Sequence, residues 1–129
     1  MNKILVEVSV GELFDKISIL EIKKDKIKDK DKIKFIIDEY KVLKEQMINK
    51  VELNEKLKEL FNTLKDTNSK LWVIEDDKRL CEKNSDFGEK FIKLSRQVHF
   101  LNDKRASIKL EINNQTGSKI KEVKEYTSY

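Results

Sequence analysis

A chain of 129 residues, 38% of them hydrophobic and 40% charged, has the material for one narrow core but not for a thick sheet-and-helix sandwich. With no proline and only three glycines it cannot be a fold built on many tight turns. Its net charge of +4 arises from 28 basic and 24 acidic residues mixed along the whole length, and the basic set is 25 Lys against 3 Arg, so the clustered patch of a nucleic-acid binder is missing.

Cys81 is the lone cysteine, which rules out an internal disulfide and predicts a reducing, cytoplasmic location. The opening MNKILVEVSVGEL lacks a signal-peptide cleavage pattern. No uninterrupted apolar run approaches the length of a membrane span.

Residues 1–9 read as an extended arm: Ile4 to Val8 is apolar and β-branched around Glu7, suited to a short strand or to lying on the helices. Ser9 followed by Glu12 forms a capping box, which predicts a first helix from Val10 to about Lys28. Leu13, Ile17, Leu20 and Ile27 share one of its faces, with Phe14 beside them. Lys28-Asp29-Lys30-Asp31 has no apolar residue and predicts a turn, with Asp29 or Asp31 as the next cap. A second helix follows to about Asn49, with Ile33, Ile36, Ile37, Tyr40, Leu43 and Met47 as its stripe. Asn49-Lys50 is either a turn or a passage straight into the third helix.

The third helix is predicted to reach Lys83 on a seam spaced four and three: Leu53, Leu57, Leu60, Leu64, Thr67, Leu71, Ile74, Lys78 and Cys81. Asn84-Ser85-Asp86 breaks it, and Asp86 to Glu89 reads as a second capping box. The fourth helix carries the seam Phe87, Phe91, Leu94, Val98, Leu101, Arg105, Ile108 and Ile112. A three-residue break between two long helices predicts an antiparallel hairpin, with Leu71 near His99, Ile74 near Arg96 and Thr67 near Asp103. Helices thus fill 10–114 of one helical domain, and a tail covers 115–129, with Gly117 as the helix stop and Tyr126 and Tyr129 available for packing. The expected fold is all-α: three or four long antiparallel helices, in a bundle or a coiled-coil-like hairpin, preceded by an extended arm.

Signs of catalysis are sparse. There is no Gly-rich phosphate loop, no Cys/His pair at metal spacing and no nucleophile in a recognised turn. No catalytic residue, metal or cofactor is therefore assigned. His99 is the only histidine, at the seam border, and reads as a packed or partly exposed side chain. Cys81, at a seam position, reads as a buried thiol. Glu75, Asp76 and Asp77 point about 100° apart on a helix and cannot all meet one ion. Glu75 and Arg79, four apart, suit an intrahelical ion pair. Arg105 is the sharpest anomaly, because a charge in a helical seam is costly unless it is paired. Either Asp66 or Asp103 is its partner, or its stem packs while its head reaches water.

SVGELFDKISILEIKKDKI, LWVIEDDKRLCEK and DFGEKFIKLSRQVHFLNDKRASIKLEIN resemble a family of small bacterial and phage proteins known as a domain of unknown function. The resemblance runs the full length, including Gly117-Ser118 and the late tyrosine. The family pattern usually has Ala-Arg where this chain has Ser95-Arg96, and Tyr where it has His99, which argues against a catalytic histidine. The resemblance implies no established activity; some members sit near genes for surface-polysaccharide synthesis. Glu12 to Ile17 and the helix count are also faintly similar to all-helical chorismate mutases. Those enzymes bind a dicarboxylate through several arginines, whereas the first helix here has none and Lys16 has to substitute.

Two functional expectations follow. The first is a non-enzymatic helical interaction module that self-associates or binds a protein partner, with no role at a membrane or on nucleic acid. The second is a binding protein for a small anion or small molecule, remotely a chorismate-mutase-like enzyme. It would use Lys16, Glu75, Arg79, Arg96, Asn102, Asp103 and Arg105.

Overall fold

The computed structural model describes residues 3–118 and 123–129. Residues 1 and 2 of the expected arm and 119–122 of the expected tail lie outside the described residues. Four helices follow one another: α1 (Val10–Lys26), α2 (Lys30–Lys50), α3 (Glu55–Lys83) and α4 (Glu89–Thr116). The described residues contain no strand, so residues 3–8 form an extended arm and not a sheet edge. That arm does not lie on the helices: Ile4 and Leu5 are 87% and 92% exposed.

Local chemistry sets the boundaries. The Ser9 hydroxyl accepts the Glu12 N–H at 3.0 Å and starts α1. The reciprocal half of the expected capping box is replaced, because the Glu12 carboxylate reaches across to the buried Lys109 of α4. Asp29 caps α2 by accepting the N–H groups of Asp31 and Lys32. Residues 51–54 separate α2 from α3, and Asn54 caps α3 by accepting the Leu57 N–H at 2.8 Å. Leu53, expected in the α3 seam, therefore lies in the connection.

Asp86 does not cap α4. Its carboxylate accepts the Gly88 N–H within the turn, Gly88 is the N-cap, and that cap makes no side-chain hydrogen bond. Ser85, with φ of 53°, takes the left-handed turn position that lets α4 fold back on α3. Gly117, with φ of 65°, ends α4 as a left-handed cap, two residues later than the expected limit at 114.

α3 and α4 form the long antiparallel hairpin. The ammonium of Lys78 over the Phe91 ring agrees with the predicted register. α1 runs antiparallel to α4, as the successive contacts Gly11–Asn113, Glu12–Lys109 and Asp15–Arg105 require. α2 returns along α1. The core gathers where α3 begins and α4 ends: Phe14, Ile17, Met47, Leu57, Leu64, Ile108 and Ile112. Phe14 meets Phe61 edge to face, with centroids 5.8 Å apart. A second tie joins three helices, since Glu21 accepts from the Tyr40 hydroxyl at 3.0 Å and from Lys65 at 2.9 Å. At 1.5 Å per residue α3 is about 44 Å long and α1 about 26 Å. Roughly the last third of the hairpin therefore extends beyond its companion.

Gly11 is where α1 and α4 touch most closely. Its N–H donates to Asn113 Oδ1 at 2.7 Å. A Cβ there falls 2.5 Å from the Lys109 carbonyl oxygen, a backbone atom that cannot swing away. Gly11→Ala is therefore predicted to cost about 1–3 kcal/mol by overpacking, read as a lower melting temperature. An unchanged melting temperature would show that the helices are not held this closely.

Candidate cleft above a buried ion pair

The anomalous arginine is answered from α1. Arg105 donates through Nε to Asp15 Oδ1 at 2.9 Å and through Nη2 to Oδ2 at 2.5 Å, a bidentate fork. Asp15 is almost fully buried, while Arg105 keeps its outer side partly exposed. The expected partners, Asp66 and Asp103, are not used. Asp66 pairs with Lys70 along its own helix, and Asp103 accepts from the Tyr129 hydroxyl.

The carboxylate is held from other sides as well. Asn68 donates to Asp15 Oδ1 and to the Ser18 hydroxyl, each at 2.9 Å, and Ser18 donates to the Asp15 carbonyl at 2.8 Å. Lys109 lies 3.9 Å from Asp15 Oδ2 and donates to Glu12 at 2.8 Å. Burial pushes the Asp15 carboxyl up. The hydrogen bonds from Arg105 and Asn68, with the charges of Arg105 and Lys109, outweigh burial and hold it below its usual value. α1, α3 and α4 are thus joined at one buried anion.

Spacing explains how the chain builds this network. Asp15 and Ser18 lie four and seven residues beyond Gly11, on the inward face of α1 with Phe14 and Ile22. Arg105, Lys109 and Asn113 repeat every four residues on α4, beside Ile108 and Ile112. Asp15, Ser18, Asn68, Lys109 and Asn113 were absent from the candidate residues. The available signal was this polar stripe spaced by four, matched by a carboxylate within the apolar face of the first helix.

A cleft of about 360 Å³ opens above the network. Asn68 and Arg105 form its base. Ile19 and Ile22 of α1 and Leu71 of α3 supply an apolar wall. Trp72, Glu75, Asp76 and Arg79 complete it from α3. The intrahelical Glu75–Arg79 pair expected from spacing is not among the ion pairs of the described residues, which leaves both side chains at the cleft without a charged partner.

The cleft brings together Glu75, Arg79 and Arg105 of the seven expected site residues. The other four are elsewhere. Lys16 is exposed, 3.8 Å from Glu12. Arg96 lines shallow grooves on the outer side of α4 with Ile92. Asn102 is half-buried and does not line the cleft. Asp103 is exposed beside Tyr129. His99 is exposed, its ring packed on Phe100 and Tyr129. Cys81 is buried, as its seam position predicts.

Fold and site together define an all-helical protein whose three core helices close on a buried carboxylate beneath a small charged cleft. The chain belongs to a family of unknown function, DUF6165, whose family model matches residues 4–129. Neither a curated protein nor a solved structure matches it. No helix among the described residues is long and apolar enough to cross a membrane.

Arg105→Leu is predicted to destabilise the protein by about 3–5 kcal/mol at neutral pH, because it strands a buried carboxylate. The folded-state pKa of Asp15 is depressed in the wild type, so its contribution is full above the usual carboxylate pKa and is lost as pH falls through the folded value. In the variant only Lys109 and Asn68 oppose burial. The stability gap between the two proteins should therefore narrow as the pH is lowered below about 4. Urea unfolding across that range measures it, and a gap that is constant with pH would refute the role given to the pair.

Proposed function

We propose that the protein is a non-enzymatic helical interaction module, a single helical domain over 1–129, that acts in the cytoplasm by self-association through the distal part of the α3–α4 hairpin. The observation that carries this reading is a run of exposed apolar side chains on the flank of the hairpin that α1 does not line. Val73, Leu80, Ile92 and Phe100 are each about half exposed. Two helices alone cannot bury both flanks of their seam, whereas two hairpins packed together can, as in a four-helix bundle. A groove of about 670 Å³ with Val73, Ile74, Leu94, Phe100 and Leu101 runs along one flank.

The occupant that fits is a second copy. Asp77 of α3 lines this groove, while Lys93 and Arg96 line the adjoining groove on α4. A two-fold arrangement sets α3 of one copy beside α4 of the other and matches the two signs. Charge matching of this kind fixes register, and the apolar stripe supplies the affinity.

Val73→Glu combined with Phe100→Glu places charge on that stripe without touching the core. Light scattering on a sizing column should give twice the chain mass for the wild type and the single chain mass for the variant, with helicity unchanged by circular dichroism. A monomeric wild type, or a dimer that survives both substitutions, would overturn the reading.

A further inference from the structure

The geometry points to the Trp72 cleft as a binding site for a small organic ammonium ion with an apolar body. This goes beyond self-association and does not depend on it. Trp72, Glu75 and Arg79 project from one side of α3, whereas Val73, Asp77 and Lys70 of the apolar groove project from the other.

Charge selects the ligand. Arg105 cannot present a net positive charge, because Asp15 neutralises it through a bidentate pair at the base. The rim then holds two carboxylates, Glu75 and Asp76, against one guanidinium, Arg79. None of these three is in an ion pair among the described residues. A cleft with that balance repels a free anion and attracts a cation, the reverse of the anion expected from the arginines in the sequence.

The other walls agree. Trp72 is half-buried at the cleft, and an indole face is the best aromatic partner for a cation. Ile19, Ile22 and Leu71 offer the hydrocarbon surface that an organic cation needs and a bare metal ion does not. The base is rigid, because Asn68 and Arg105 are already committed to Asp15. A ligand therefore meets walls that need little reordering.

Trp72 is the chain's only tryptophan, so its emission reports on this cleft alone. The probes are phenethylamine and phenylacetate, which share a ring and differ in the sign of their charge. Phenethylamine should change the emission saturably while phenylacetate does not. Glu75→Gln with Asp76→Asn should weaken the amine at least tenfold without changing the helical circular dichroism. The proposal is overturned if the amine gives no saturable change. It is equally overturned if phenylacetate binds as well, or if the double variant binds the amine undiminished.

Discussion

The structure depends on one buried carboxylate. Asp15 is the only point at which α1, α3 and α4 all converge through hydrogen-bonding side chains among the described residues: Arg105 from α4, Asn68 from α3, and Ser18 from its own helix. An isolated charge at that depth would be intolerable. Once one helix carries it, the others must supply partners at fixed positions. That requirement sets the register of α1 against the hairpin more sharply than apolar packing does, since Phe14, Ile17, Leu64 and Ile112 could slide with less penalty than a bidentate fork. Gly11, which lets the backbones of α1 and α4 approach, and Asn113, which receives its N–H, extend the same alignment by another turn.

Much of this fold is written in local pattern. The seams of α3 and α4, the break at Asn84 to Asp86 and the stop at Gly117 follow from helical periodicity and turn chemistry, which act within a few residues. Where local signals compete, spacing alone does not decide the partner. Asp86 and Glu89 have the spacing of a capping box, but Asp86 is used in the turn. Ser9 and Glu12 also have it, but Glu12 is drawn to Lys109 on another helix. For Glu12 a partner reached through tertiary structure outcompeted the local one, and for Asp86 the Gly88 N–H, one residue before Glu89, did so.

The site was legible as an anomaly and illegible as a solution. Arg105 stands out because it interrupts an apolar seam. Its partner lies 90 residues earlier, and no spacing rule on one helix connects them. The nearer acids, Asp66 and Asp103, were more obvious and are both exposed. Glu75 and Arg79 line the cleft with Arg105, because all three face the same side of the hairpin, whereas Arg96 points outward. What the sequence hides is the consequence of the pairing: an arginine bound to a buried carboxylate no longer confers a taste for anions. The same pair that closes the core thus changes the electrostatic character of the cleft above it.

The most direct test of this account is a double-mutant cycle joining Asp15→Asn, Arg105→Met and the double variant, read by urea unfolding at neutral pH. The account predicts that the two single substitutions are each severe and that the double variant is far less destabilised than their sum, with a coupling of about 2 kcal/mol or more. Additivity to within about 0.5 kcal/mol would mean that the two residues act independently. The carboxylate–guanidinium pair would then not be what holds α1 to the hairpin.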